Sequence, residues 1–179
     1  MKEKGYRRLP EQVKLASGEW SFDFIDGKKA LAKWSDLRVA CEAIVEEVSE
    51  AGHQFDAVGG LTLGADALAV GVAAVSDTKW FFVRKEPKKR GTRRLIEGAS
   101  LGKKDRVLLV DDVVTTGGSI FNALKAIEET EAKVVAAVTL VDRGDSAEPR
   151  FKEKGIAYFP MANYKDLEIE PVRSKRVIQ

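Results

Sequence analysis

From Arg106 to Ile120 the chain reads Arg-Val-Leu-Leu-Val-Asp-Asp-Val-Val-Thr-Thr-Gly-Gly-Ser-Ile. Residues 107–110 are apolar at every position, so neither face of this segment suits water. A short run of Val and Leu without alternation is the pattern of a strand buried on both sides, which belongs to a parallel sheet covered by helices. Asp111 and Asp112 follow that strand, and a Thr/Gly-rich turn follows them. In open α/β sheets, ligands bind outside the carboxyl ends of the strands. One stretch thus constrains both the fold and the place of a site.

The rest of the chain agrees with that architecture. From about residue 35 helix and strand patterns alternate. Ser35 is placed to cap a helix from Asp36 to about Glu50, stopped by Gly52. Phe55 to Gly60 reads as a buried strand, Ala65 to Val75 as a small-residue helix, and Lys79 to Arg84 as a strand with aromatic and β-branched content. After the Arg106 to Val110 strand, Ser119 to Glu129 is an amphipathic helix and Lys133 to Val141 another buried strand. The expected fold class is α/β, with a central, mostly parallel sheet flanked by helices.

The flanks differ. Trp20 to Ile25 alternates in period two and is followed by an Asp26-Gly27 turn signal, which implies antiparallel edge structure outside the parallel core. Residues 145–179 contain Pro149, Pro160 and Pro171 and only short apolar runs. With 179 residues, 44% of them hydrophobic, the chain has the size of a single domain with a substantial core. The expectation is one domain over 1–179, its core at about 35–143 and a small cap built from about 1–34 and 145–179.

Charge narrows the function classes. Thirty Lys plus Arg against 28 Asp plus Glu leave a net charge of +2, which fits neither a polybasic nucleic-acid coat nor an acidic tail protein. The positive charge is concentrated: Arg84, Lys85, Lys88, Lys89, Arg90, Arg93 and Arg94 lie within one short segment whose single acid is Glu86. Cys41 is the one cysteine and His53 the one histidine, so neither a disulfide framework nor a His/Cys zinc site can be built. Cys41 falls in register with Leu37, Ala40, Ile44, Val45 and Val48 and reads as a core-facing helix residue. His53 sits in a turn-like Ala-Gly-His-Gln with no serine elbow motif nearby, which disfavours a nucleophilic triad. No apolar run spans a membrane, and the charged amino-terminal segment lacks the apolar stretch of a signal peptide. A cytoplasmic protein with no membrane or nucleic-acid partner is expected.

The chemistry concentrates after residue 110. A turn from Thr115 to Ser119 at the start of a helix offers backbone N–H groups and hydroxyls where the helix dipole favours a phosphate monoester. Asp111 and Asp112 are acceptors suited to sugar hydroxyls, or to placing Mg²⁺. Two acids behind a Val/Leu strand are costly to bury without a ligand or partner, which speaks against a merely structural strand end. Other phosphate motifs fail: Gly59 to Gly64 has P-loop glycine spacing, but Ala65-Asp66 stands where Lys-Ser/Thr is required, and no G-x-G-x-x-G follows a strand. A phosphorylated sugar fits both halves of the motif.

The segment from Val107 through Ser119 resembles the phosphoribosyl diphosphate (PRPP) motif of the type I phosphoribosyltransferases. Phe82-Val-Arg84-Lys85-Glu86-Pro-Lys88-Lys-Arg90-Gly91 is similar to the catalytic loop of the orotate phosphoribosyltransferases. Leu15-Ala-Ser17-Gly18 with Phe24-Ile-Asp26 is similar to their amino-terminal segment, and Leu140-Val-Asp142-Arg143 to their strand-ending Asp-Arg. The resemblance covers roughly residues 13–145, with the motifs in the family's order.

This resemblance implies transfer of the phosphoribosyl group from PRPP to orotate, with Mg²⁺ as cofactor. PRPP would be held by Arg84, Lys85, Lys88, Arg90, Asp111, Asp112, Val113, Val114, Thr115, Thr116, Gly117, Gly118 and Ser119. Within that set the acids take the ribose hydroxyls and Thr115 to Ser119 the 5-phosphate, with Gly59 to Gly64 as a second turn near the diphosphate. Lys85, Lys88, Arg90 and Asp112 would be catalytic. Orotate would meet Arg143, Thr115 and the Phe24 backbone. Mg²⁺ would come with PRPP, beside Asp111 or Asp112. A homodimer whose basic loop reaches into the partner's site is implied as well.

The residue set suits such a reaction. Loss of diphosphate from C1 places positive charge on the sugar and negative charge on the leaving group, so cations supply the stabilisation and no covalent nucleophile is needed. A loop dense in cations repels itself when open and is drawn shut by the diphosphate. Three positions depart from the family pattern: Arg90 stands for the loop histidine, Ala16 for a lysine of the Leu-Lys-Ser-Gly segment, and Leu63 for a lysine of the diphosphate turn. Arg90 keeps a charge but does not donate a proton readily, and Arg93 and Arg94 are placed to restore lost charge. Two other functions stay open at this point. One is a phosphoribosyltransferase for a purine or uracil, which would leave Arg143 without a carboxylate. The other is a PRPP-sensing or nucleic-acid-binding regulator, whose basic run lacks the interleaved aromatics that stack on bases. An α/β domain whose basic stretch is only a surface loop leaves the strand-end acids unexplained.

Overall fold

The computed structural model describes residues 2–87 and 94–172. Lys88, Lys89, Arg90, Gly91 and Arg93 lie outside the described residues.

The chain opens with a short helix α1 (Lys2–Gly5) and a hairpin, β1 (Tyr6–Lys14) and β2 (Trp20–Ile25), and continues through a one-turn helix α2 (Gly27–Ala30). Helix α3 (Trp34–Glu50), strand β3 (Ala57–Leu61), helix α4 (Asp66–Ser76) and strands β4 (Lys79–Val83) and β5 (Ile96–Gly98) follow. Strand β6 (Arg106–Val114), helix α5 (Gly118–Glu128), strand β7 (Lys133–Asp142), helix α6 (Ala147–Glu153) and strand β8 (Ala157–Pro160) complete it. The hairpin is a separate two-stranded sheet, and the other strands form one sheet in the order β5-β4-β3-β6-β7-β8. All neighbours in that sheet are parallel except β4 with β5.

β6 lies near the middle, and its alternation decides what each face buries. Leu108 and Val110 join a core with Cys41, Ile44 and Val48 of α3 and Leu68 and Val72 of α4. Val107 and Leu109 join the opposite core with Ile120, Leu124 and Ile127 of α5 and Phe151 of α6. These four β6 residues are fully buried, each contributing about 1.5–3 kcal/mol relative to exposure. The apolar run is thus explained by helices on both faces.

Several expectations need correction. Helix α3 starts at Trp34 with Lys33 as N-cap and no side-chain cap bond, so Ser35 lies inside the first turn and does not cap it. Strand β6 does not end at Val110: pairing with β7 continues as Asp111 with Thr139, Val113 with Val141 and Val114 with Asp142. The two acids are therefore strand residues, held in place by the ladder. The core also extends beyond residue 143, because β8 adds in parallel to β7 as an edge strand and Phe151 of α6 is fully buried. The remaining expected strands and helices shift at their ends by a residue or two.

At the amino terminus β2 lies where its alternation placed it, but its partner comes earlier in the chain. The hairpin turn is 15–19, closed by Leu15 N–H to the Glu19 carbonyl at 2.8 Å and Gly18 N–H to the Leu15 carbonyl at 2.9 Å. Asp26-Gly27 instead opens α2, where the Asp26 carboxylate accepts from the Lys29 N–H at 3.0 Å. The two flanking segments meet at Lys2, which pairs with Glu168 at 2.9 Å, and the Val172 N–H donates to the Arg143 carbonyl at 2.6 Å. Cys41 is buried, and burial pushes its thiol up to about 12. His53 packs edge-on against Phe159 at 5.9 Å. Among the described residues no helix is long and apolar enough to cross a membrane.

Candidate active site

Toward the carboxyl end of β6, Asp111 and Asp112 bring their carboxylates to the same turn after β3. Asp111 is 4% exposed and Asp112 8%. The Asp111 carboxylate accepts from the Asp112 N–H at 3.0 Å, and the Asp112 carboxylate from the Val113 N–H at 2.8 Å. Burial first, and then the neighbouring Asp112 charge, push Asp111 up to about 7, while the Asp112 N–H, Lys28 and Lys85 pull it down. The pair therefore stands ready for a cation or for hydroxyl donors.

Asp112 has a partner that the sequence reading missed. Lys28, on α2, places Nζ 3.2 Å from Asp112 Oδ2 and 3.9 Å from Asp26 Oδ1. This contact ties the amino-terminal segment to the strand end. A lysine in an exposed Lys-Lys pair looks like a solvated surface residue. The available signal was Gly27 beside it, where a Cβ would come within 2.7 Å of Asp112 Cβ.

The two expected backbone turns converge on the acids. A Cβ at Gly64 would lie 2.5 Å from Asp111 Oδ1 and 2.6 Å from Asp112 Oδ1, so only glycine lets the turn after β3 come this close. Leu63, at the tip of that turn, is 70% exposed. On the other side, a cavity of about 60 Å³ is lined by Asp111, Val113 to Ile120, Ala16 and Ser17. The hairpin turn closes over the Thr115 to Ser119 segment there. Ser17 Oγ is buried without a hydrogen-bond partner among the described residues, a hydroxyl that the sequence reading quoted without a role.

Arg143 follows β7 and is 1% exposed. Its Nη1 donates to the Asp23 carbonyl at 2.9 Å and its Nη2 to Ser21 Oγ at 3.1 Å, while Nε has no partner among the described residues. Burial lowers its pKa and the nearby Asp23 raises it, and a guanidinium stays charged under such a shift. Arg143 thus joins the sheet to β2, the strand that carries Phe24. Its N–H bonds the Val114 carbonyl at 2.8 Å, and Gly144 packs on the Thr115 carbonyl. Thr115, Arg143 and β2 are brought together.

The basic segment begins at the end of β4. Arg84 bonds the Glu86 carbonyl at 3.2 Å and pairs with Glu97 of β5 at 3.8 Å. Lys85 is exposed and close enough to act on the Asp111 charge. The expectations for Lys88 and Arg90 lie outside the described residues. Among the described residues no group of three or more His, Cys, Asp or Glu could hold a metal by itself.

Comparison with known proteins identifies a family. A family profile for the phosphoribosyl transferase domain matches residues 28–157. The chain is 40% identical over 147 residues to an orotate phosphoribosyltransferase of Pyrococcus furiosus, covering 82% of this chain and 80% of that protein. It is 34% identical over 168 residues to an orotate phosphoribosyltransferase of Methanocaldococcus jannaschii, covering 94% and 93%. Among solved structures, Mycobacterium tuberculosis orotate phosphoribosyltransferase in complex with PRPP superposes with a TM-score of 0.76 at 29% identity, covering 94% of each chain.

Proposed function

The chain belongs to the orotate phosphoribosyltransferases within the phosphoribosyl transferase family, and from that premise we propose that it transfers the phosphoribosyl group of PRPP to orotate, giving orotidine 5′-phosphate and diphosphate for pyrimidine nucleotide synthesis. One observation carries this reading: the strand end that buries Asp111 and Asp112 stands between the close-approach Gly64 turn and the Thr115 to Ser119 turn, and beside a buried Arg143. The Thr115 to Ser119 N–H groups and hydroxyls take the 5-phosphate, and the acids accept from the ribose hydroxyls. Val113 and Val114 carry the backbone between these groups.

Among the described residues two of the five Arg143 donors are used, by Asp23 and Ser21, which leaves three for a planar carboxylate. Orotate carries such a carboxylate and uracil does not. With the base lying between Arg143, Thr115 and the Phe24 backbone, its ring nitrogen forms the bond to C1 as the C1–oxygen bond to diphosphate breaks. The nitrogen's proton passes to the released diphosphate or to water, so the exchange balances. Lys85, with Arg84, Lys88 and Arg90, surrounds the departing diphosphate, where charge develops. Arg90 supplies charge without a ready proton, so electrostatic stabilisation carries this part of the reaction.

The residues present fit Mg²⁺ delivered by the substrate. Mg²⁺ is bound through one or two carboxylates together with substrate phosphates, and Asp111 and Asp112 are two buried carboxylates that approach the same Gly64 turn. Asp111 or Asp112 would hold the ion. When bound, it would neutralise charge on the diphosphate as that group leaves. A cytoplasmic homodimer, with the basic loop acting in the partner's site, completes the proposal. It involves no nucleic acid and no membrane.

The test is loss of orotate absorbance with purified protein, PRPP and Mg²⁺, run beside uracil and purine bases. Turnover with orotate alone, abolished by Lys85→Ala, is the expected result. Turnover of another base instead would move the acceptor, and PRPP binding without turnover of any base would overturn the enzymatic reading.

A further inference from the structure

The turn 115–119 contains no charged side chain, and Asp111 and Asp112 stand just before it. A phosphate dianion in that turn therefore meets two carboxylates before it meets a cation of its own segment. Arg150, on α6, lies beside it. Its guanidinium carbon is 3.6 Å from the centroid of the Phe121 ring, and its Nη1 donates to the Thr116 carbonyl at 3.3 Å. A planar cation over an aromatic face is held by the ring quadrupole.

The ring beneath Arg150 is itself fixed. Phe121 stacks on Phe151 with centroids 4.5 Å apart, and Phe151 on Tyr158 at 5.0 Å. The Tyr158 hydroxyl donates to Asp142 Oδ2 at 2.9 Å, which anchors the ladder at the end of β7. Gly117 closes the wedge with φ +82°, and a Cβ there would lie 3.0 Å from the Phe121 ring and 3.4 Å from Arg150 Nη1. Left-handed backbone and contact on both sides make this a glycine position. The ladder, the turn and the guanidinium are thus packed as one unit.

We propose that Arg150 is a positioning residue for the 5-phosphate. By bonding the Thr116 carbonyl it offsets an oxygen dipole that would oppose an anion, fixes the turn whose N–H groups face the ligand, and supplies the positive charge that the turn itself lacks. This inference rests on the phosphate role assigned above to Thr115 to Ser119. Its signature is selective: the affinity for phosphorylated sugars falls while the chemistry at C1 and the orotate contacts stay as they are.

The experiment measures ribose 5-phosphate and PRPP affinity by calorimetry, and kcat and both KM values, for wild type, Arg150→Ala, Arg150→Met, Arg150→Lys and the α6-flanking control Lys154→Ala. Arg150→Ala is expected to weaken both phosphate ligands about tenfold, with kcat and the KM for orotate within about twofold of wild type. Arg150→Met keeps a stem on the Phe121 ring and should show the same loss, which separates the charge and hydrogen bond from the packing. Arg150→Lys should recover part of the affinity, and Lys154→Ala all of it. Wild-type ribose 5-phosphate affinity in Arg150→Met, or a fall in kcat without a change in affinity, overturns the inference. Failure of the wild-type protein itself to bind ribose 5-phosphate or PRPP would overturn the phosphate reading, and this inference with it.

Discussion

At the end of β6, Asp111 and Asp112 are 4% and 8% exposed on a strand paired with both β3 and β7, whereas the β1–β2 hairpin leaves Trp20 60% and Phe22 40% exposed. One region is fixed by the sheet and by helices on both faces. The other meets the core at one end, through Ile25 and Tyr6, and is tied to the body by polar contacts: Arg143 with Ser21 and Asp23, and, just past β2, Lys28 with Asp112. In the proposed function, the groups that would hold the phosphoribosyl unit sit on the rigid side, and those that would meet the base sit where the rigid side touches the hairpin. A site divided in this way can keep its sugar contacts fixed while the base side opens.

Amide hydrogen exchange tests the division most broadly. Amides of β1 and β2 should exchange about 10³-fold faster than those of β6 residues 107–110, because local opening needs few buried apolar contacts to break. Equal protection would mean that the hairpin belongs to the same cooperative unit as the sheet. Asp112→Asn is the next largest effect: kcat/KM for PRPP should fall about 10²-fold, as expected for hydrogen bonds lost from a charged acceptor. Lys28→Met should cost about tenfold in the same quantity, since Lys28 is half-exposed and screening weakens its pair with Asp112. If Lys28→Met proved as damaging as Asp112→Asn, the bridge would belong to the rigid side.

The smallest effect is on stability. With its pKa raised from the ordinary carboxylate value to about 7, Asp111 keeps a proton in the folded protein that it gives up in the unfolded chain above about pH 4. Folding stability therefore falls as pH rises from about 4 to about 7, then levels off. Asp111→Asn removes this fall, so its Tm should match wild type near pH 4 and exceed it by about 10 °C at pH 8. A constant difference across that range, measured by thermal unfolding, would show that Asp111 is not the group responsible.

Legibility in the sequence followed burial. Strands β6 and β7 and helix α5 were readable because each must satisfy an apolar environment along its length, and that demand is written in consecutive residues. Strand β1 was missed because Tyr6–Lys14 is mostly exposed, carries Pro10 and needs no hydrophobic alternation. Strand β8 was read as cap because it is a four-residue edge strand ending in Pro160, too short for a periodic signal. The acids and the Thr/Gly turn were legible as chemistry, although the strand was taken to stop before them. Ser17 and Arg150 carry no local mark and Lys28 only the glycine beside it: each makes its contacts across 34 residues or more of chain, or through a cavity closed by distant segments.

The central claim is that the sheet end holds PRPP while Arg143, joined to the hairpin, reads the carboxylate of orotate. The most direct test compares Arg143→Met with wild type for kcat/KM with orotate and for PRPP affinity by calorimetry. A loss of about 10²-fold with orotate, while PRPP affinity stays within about twofold, is the expected result for a charged carboxylate partner removed. Unchanged orotate kinetics, or an equal loss of PRPP affinity, would contradict it.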